Sequence, residues 1–534
     1  MLTISGGTLK FKRVFYISLI LLITQINAET IFEDVATRLK KSIKKVQFDN
    51  GLKLIMMQNT TSPTLALYAK FKVGSVDETK EIAGTAHLLE HMLFKGTENV
   101  GTTNFSEEKK FHILLKATGS ELDKLRLEKR NLEDSSKSAP PELLERITRL
   151  ERRLKDVEAI QKKYIVKAED TYIYEQHGQV GFNAYTSHDV TNYQIRLPAN
   201  RLEIWAKMES DRLKNPILRE YYTERDVIME ERRMRVENRG AGILREKYLA
   251  LAFGEHAYGQ PVIGYESNIP FLDIYETENF FKKHYTPDNM VIAIVGDLDF
   301  DKTESMIRKY FSDLKPSVEK KLGTRVKEKF NTGEKRISFQ YPGGSIYIMG
   351  WHKPAYPHPD SSIIDVIDSI LTQGTSSRLY KRLILKERLV SSVEAWGSDP
   401  GERYANLLSI YSQLNSDTDP AKVESIIWEE IEKLKTEKVS SEELQRIKNK
   451  MTADFLREID NNGNLADNLS YYELLTGNWE DLFLSYDKLN GVTEEDIKRV
   501  TAKYFVKENL TIGHLDARAS KKPAAQPQNA KEAK

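Results

Sequence analysis

The chain has 534 residues, with 80 Lys and Arg against 79 Asp and Glu for a net charge of +1, no cysteine, 40% hydrophobic and 30% charged residues. That length exceeds one small core and implies roughly two to four domains. Balanced charge gives no electrostatic case for a nucleic-acid partner, and the lack of cysteine excludes a thiolate nucleophile, disulfides and a cysteine-ligated zinc site.

Lys10, Lys12 and Arg13 precede the apolar run Val14 to Ile23, and Ile26-Asn27-Ala28 ends on a small residue. This pattern is that of a signal peptide over residues 1–28, which implies a periplasmic or secreted product. The run is too short for a comfortable membrane span, so cleavage near Ala28 is expected, with an uncleaved membrane anchor as the alternative, and no cysteine follows it to carry a lipid. Val46 to Met57 reads as two strands about an Asn50-Gly51 turn, a strong hairpin signal. Thr64 to Val73 alternates apolar and polar side chains and leads through Gly74-Ser75 into the stretch Gly84 to Thr97. That stretch is expected to be helical, with Gly96 as its C-cap.

Within it His87 and His91 stand four apart and Glu90 three after His87, so all three side chains share one helix face. Two neutral imidazoles can hold zinc while a carboxylate outside the ligand set takes a proton from metal-bound water. The order H-x-x-E-H is the inverzincin signature. A pair of solvated helix histidines would produce the same spacing, so the remaining chain must decide.

From Ser106 to Lys167 the composition turns densely charged. Leu143, Ile147, Leu150, Leu154 and Val157 step by four and three, the seam of a coiled coil. With Leu122, Leu125 and Leu132 before Pro140-Pro141, residues 106–167 read as an antiparallel helical hairpin projecting from the body, its charged faces solvated. Gly181 to Leu197 returns to aromatic and β-branched strand chemistry, and a long helix is expected from Ala199 to Arg239. In it Glu224 and Glu231 lie seven apart on one face, and a helix carboxylate is a natural third ligand for a histidine pair. His256, in the Gly/Pro loop Phe253 to Gly264, reads as structural, and Met290 to Val295 as a buried strand.

The second half echoes the first. Gly344 to Trp351 reads as a strand, Ser361 to Leu371 as a helix, and Gln373-Gly374-Thr375 mirrors Lys95-Gly96-Thr97. Superposing Gly374 on Gly96 puts Asp365, Asp368 and Ser369 where His87, Glu90 and His91 stand, so the copy lacks the metal set. The run from His284 to Asp299 likewise resembles that from Lys503 to Asp516. A repeat of this length implies an α+β fold of two homologous domains. The expected division is 29–317 for the zinc-bearing domain, 318–335 for a linker, 336–516 for the metal-free domain and 517–534 for a disordered tail. No chemistry is assigned to His352 or His514.

Taken together, these residues resemble the pitrilysin/insulinase family of zinc metallopeptidases, particularly the processing peptidases and their bacterial relatives. The resemblance rests on His87-Leu88-Leu89-Glu90-His91 with Phe94-Lys95-Gly96-Thr97, Asn183-Ala184-Tyr185-Thr186-Ser187, Glu224-Arg225-Asp226-Val227-Ile228-Met229-Glu230-Glu231 and His256-Ala257-Tyr258-Gly259. It implies His87 and His91 as zinc ligands, Glu90 as the base, Glu231 as third ligand and Glu224 as a supporting carboxylate. Asn183, Ala184, Tyr185 and Thr186 would form the edge strand on which a peptide lies. Two departures stand out. The stretch between His91 and Glu231 is longer than is usual in the family, an excess the hairpin accounts for, and long surface insertions cost little closure entropy. The Arg and Tyr that grip the substrate backbone in relatives fall here on Ile384 and Ser391.

The resemblance implies a Zn2+-dependent endopeptidase acting on peptides or small unfolded polypeptides. One chain would be half of a clamshell, the other half coming from a zinc-less homologue that carries the Arg/Tyr pair, or from a second copy. The competing reading is a catalytically silent subunit whose helical arm docks partners.

Overall fold

The computed structural model describes residues 28–318, 326–328 and 333–517. The leader read over 1–28, most of the linker read over 318–335 and the tail read over 517–534 lie outside those residues, Ala28 and Ala517 excepted.

Six strands form the first sheet: β1 Ile43–Gln47, β2 Lys53–Gln58, β3 Thr64–Phe71, β4 Val180–Thr186, β5 Thr191–Pro198 and β6 Met290–Gly296, in the order β1-β2-β6-β3-β5-β4. The β1–β2 reversal needs a left-handed residue, which Gly51 supplies at φ 88°, while the Asn50 side chain accepts from the Leu52 amide. Five strands form the second: β7 Lys335–Gln340, β8 Ile346–Lys353, β9 Val390–Asp399, β10 Asn406–Leu414 and β11 Leu510–Asp516, in the order β7-β11-β8-β10-β9. In each sheet one pair is parallel, β2 with β6 and β7 with β11. Read outward from it, β2-β6-β3-β5-β4 and β7-β11-β8-β10-β9 match strand for strand, so the fold is α+β and internally duplicated.

Alternation along the strands sends side chains to two faces. Leu54, Met56, Leu65, Leu67, Ile292 and Ile294 face the helix Thr85–Met92. Ile55, Met57, Ala66, Tyr68, Val291 and Ala293 face Leu465, Ala466 and Leu469 of the helix Asn462–Thr476. Each Leu, Ile, Val or Met side chain among them contributes about 1.5–3 kcal/mol when fully buried. The second sheet is covered reciprocally. Ile346, Ile348, Leu407 and Leu515 pack on Leu244, Tyr248, Leu249 and Phe253 of the helix Gly240–Phe253. Each half thus lends a helix to the other's sheet. For that reason β3 is buried on both faces, although its sequence alternates as if one face met water.

Three expectations need correction. The motif helix ends at Met92 with Leu93 as its C-cap, and Gly96 (φ 92°) shapes the following turn instead. The helix expected over 199–239 is broken: Leu202–Lys214 stops at Asn215-Pro216, and Tyr221–Arg232 begins anew. Proline lacks an amide donor and pushes the residue before it out of helical geometry. Finally, the hairpin helices Phe105–Asp134 and Pro141–Gln161 bury the seam from Leu143 to Val157 but do not project freely. Their root is fixed to the body by Glu108 on Arg219 at 2.8 Å and Asp123 on Arg225 at 2.6 Å.

Candidate metal centre

The motif helix is placed from its first residue. Gly84 takes φ 101°, and a Cβ there would meet the Ile263 carbonyl oxygen at 2.9 Å. The Glu78 carboxylate accepts from the amides of Gly84 at 2.9 Å and Ala86 at 2.5 Å, which satisfies orphan donors of the first turn. The helix therefore enters at a fixed height, with His87 and His91 turned toward the helix Tyr221–Arg232 and Glu90 toward the sheet edge.

On that second helix Glu231 reaches both imidazoles. His87 Nε2 lies 3.7 Å from Glu231 Oε1 and His91 Nε2 lies 3.6 Å from Glu231 Oε2. Four-coordinate zinc with nitrogen and oxygen ligands at about 2.0–2.2 Å separates its ligand atoms by about 3.3 Å. These two distances, one to each oxygen of Glu231, lie within a few tenths of an ångström of that value, and one donor atom from each of the three residues lies within 4.8 Å of the others. Among the described residues no other set of three His, Asp or Glu donors converges in this way. The donor set thus fits a divalent cation such as Zn2+.

Glu224 stands one layer back. It meets His91 Nδ1 at 3.1 Å, and its other oxygen takes the Lys95 ammonium at 2.5 Å. A carboxylate on the far nitrogen of a ligating histidine fixes the ring's tautomer and orientation. Burial opposes a charge on Glu224, but His91 and Lys95 outweigh it and hold the carboxyl below its usual range. Burial, then the neighbouring His91 and Arg235, push His87 down to about 3, which keeps the imidazole neutral. Arg235 also pairs with Glu231 at 2.7 Å.

Glu90 belongs to a different contact. It accepts from Thr186 Oγ1 at 2.6 Å, and burial raises its pKa above the usual carboxylate value despite that bond. Thr186 ends β4, the last strand of its sheet. The four expected strand residues alternate: Thr186 and Ala184 face the motif helix, Asn183 is exposed, and Tyr185 turns to the opposite face, where its hydroxyl meets Asp467. Beside Glu90, His91 and Glu224 opens a cavity of about 690 Å³, walled also by Phe94, Phe182, Val227 and the segment Ile165 to Thr171 that returns from the hairpin. His256 lies apart from this cluster and caps the turn at Tyr258 through its side chain. Sequence reading passed over Lys95 and Arg235. Each stands four residues after an assigned ligand, His91 and Glu231, and that spacing was the available signal.

Two family models match in chain order: "Insulinase (Peptidase family M16)" over residues 53–121 and "Peptidase M16 inactive domain" over 273–451. The chain is 25% identical over 469 residues to the zinc protease PqqE of Helicobacter pylori, covering 86% of this chain and 90% of that one. Its fold is similar to the crystal structure of a protease from Helicobacter pylori, with TM-score 0.72 and 23% identity over 89% of this chain and 99% of that one. It is also similar to the periplasmic protease PqqL from Escherichia coli, with TM-score 0.65 and 15% identity over 90% of this chain but 48% of that one. A duplicated α+β half whose first copy matches the insulinase model and whose second matches the inactive-domain model belongs to the pitrilysin/insulinase (M16) peptidase family, in its bacterial branch.

Proposed function

We propose that the chain is a zinc-dependent endopeptidase that hydrolyses peptides or small unfolded polypeptides. One observation carries the reading: His87, His91 and Glu231 converge on one point while Glu90, a turn away, is left outside that set and bonded to the sheet edge. His87, His91 and Glu231 would hold Zn2+, which supplies a Lewis acid for the scissile carbonyl and lowers the pKa of water. Glu224 orients His91 and Lys95 steadies Glu224. Glu90 accepts the proton of the attacking water and passes it to the leaving amine, a task that its burial-raised pKa suits. The free edge of β4, with Asn183, Ala184, Tyr185 and Thr186, receives the peptide backbone as an added strand, which brings the scissile bond past Glu90.

The partner we propose is a second half-clamshell. PqqL's chain is about twice the span matched here, which is what two such halves joined in one polypeptide would give. Ile384 packs against the second core and the Ser391 hydroxyl bonds the Gln413 carbonyl, so these two positions offer neither a guanidinium nor a phenol. A zinc-less homologue carrying that Arg/Tyr pair fits this lack best, and a homodimer is the alternative. We place the protein in the periplasm or outside the cell, on the leader pattern of residues 1–28 and the likeness to periplasmic PqqL. The test is Glu90→Gln with metal analysis. Zinc stoichiometry should stay as in the parent while chelator-sensitive peptide cleavage is lost, and a Gln variant cleaving at the parent's rate would refute the assignment.

A further inference from the structure

Lys70 sits on β3 with its side chain fully buried. Its ammonium has three acceptors: Asp467 Oδ1 at 2.7 Å, the Asp467 carbonyl at 3.1 Å and the Tyr185 hydroxyl at 3.2 Å. Those three match the three N–H bonds of an ammonium. The rings of Tyr185 and Tyr471 stand 5.7 and 5.3 Å from the charge. Tyr185 also donates to Asp467 Oδ1 at 3.1 Å. Asp467 belongs to the helix Asn462–Thr476, which the second half lays across the back of the first sheet.

The next residue along β4 after Tyr185 is Thr186, whose hydroxyl holds Glu90 from the front of the sheet. One strand is therefore tied on consecutive residues, behind to the second half and in front to the candidate base. An edge strand has a neighbour on one side alone, here β5, so side-chain ties weigh more on its position than they would in a central strand. We propose that Lys70, Asp467 and Tyr185 are positioning residues through which the second half sets the height of the peptide-receiving strand and of Thr186 beneath Glu90. The kinetic consequence rests on the peptidase reading; the structural one does not.

Tyr185→Phe tests this, since it removes one hydroxyl and leaves the ring and the Lys70–Asp467 pair. Amides of residues 183–186 should exchange with deuterium about tenfold faster while those of β3 and β6 stay as in the parent. Zinc affinity should be unchanged, and KM for a peptide should rise about three- to tenfold with kcat within about twofold. Unaltered exchange over 183–186 overturns the proposal, and so does a kcat/KM equal to the parent's. Asp467→Asn should shift exchange and KM further the same way. Should that variant fail to fold, Tyr185→Phe still decides. A parent protein that cleaves no peptide would sink the peptidase reading, and the exchange comparison would still judge the positioning role.

Discussion

Arg219 is the most exacting place to test the energetics of the site. Its side chain is fully buried and spends its donors on four acceptors: Glu108 Oε1 at 2.8 Å, and the carbonyls of Lys95 at 3.1 Å, Val100 at 3.1 Å and Thr97 at 2.6 Å. Glu108, equally buried, has Gln161 Nε2 at 3.1 Å as its other donor. Arg219→Met would leave a buried carboxylate without its cation, which costs about 3–5 kcal/mol. Pairing it with Glu108→Gln removes the uncompensated charge and should recover about 2 kcal/mol, leaving the Lys95 and Thr97 carbonyls without this donor at about 1 kcal/mol each, while the Val100 carbonyl keeps the Thr97 amide at 2.8 Å. Arg219→Lys keeps the charge but loses the fork and should fall between parent and Met. Urea unfolding followed by tryptophan fluorescence reads all of these variants. The reasoning fails if Arg219→Met loses less than about 1 kcal/mol, or if the double variant is no more stable than the single, for then the two residues are not coupled.

Glu224→Gln should weaken zinc binding about 10- to 100-fold in chelator competition, because the carboxylate orients His91, whereas an unchanged affinity would refute that orienting role. Gly84→Ala forces a side chain into a left-handed residue facing the Ile263 carbonyl; a loss of about 2 kcal/mol in unfolding is expected, together with weaker zinc binding. Asp360 receives Arg499 at 2.9 Å, Lys503 at 2.9 Å and Tyr504 at 2.8 Å. Burial opposes its charge, but these partners outweigh it and hold the carboxyl down to about 2. Because the folded value lies below the unfolded one, its stabilisation is full above the ordinary aspartate range and is lost as pH falls toward 2. Asp360→Asn should cost about 1 kcal/mol at neutral pH, given that Arg499 and Lys503 are half-exposed, and about half that at pH 3; a pH-independent difference would refute the ion-pair account.

What the sequence reveals about this site is what local spacing controls. His87, Glu90 and His91 share a face because helix geometry requires it, and the seven-residue step from Glu224 to Glu231 does the same on the second helix. Whether those two faces meet is a tertiary matter that no spacing encodes. The hairpin seam from Leu143 to Val157 was legible for the same local reason, but its anchoring to Arg219 and Arg225 was not, since each pair spans more than a hundred residues. Pro216 is a stop signal in the sequence that the helix expected over 199–239 runs through. Lys70 misleads most. In an alternating strand it marks the wet face, and here a helix from the other half covers that face and supplies its counter-ion.

The exchange of helices also gives the metal-free half a physical role. The helix Tyr221–Arg232, which carries Glu224 and Glu231, runs through Arg233–Glu237 into Gly240–Phe253, and that helix is packed on the second sheet. The ligand-bearing helix is therefore clamped at its C-terminal end by the other half. The strand that holds Glu90 is backed by Asn462–Thr476 from that half. Both sides of the candidate centre are thus referred to one scaffold outside the domain that contributes the donors. With Asp365, Asp368 and Ser369 at the positions that align with His87, Glu90 and His91, the second copy lacks the histidine pair but makes this mechanical contribution. Conserving the distances of 3.6–3.7 Å between Glu231 and the imidazoles therefore depends on packing in a sheet that carries no ligand at all.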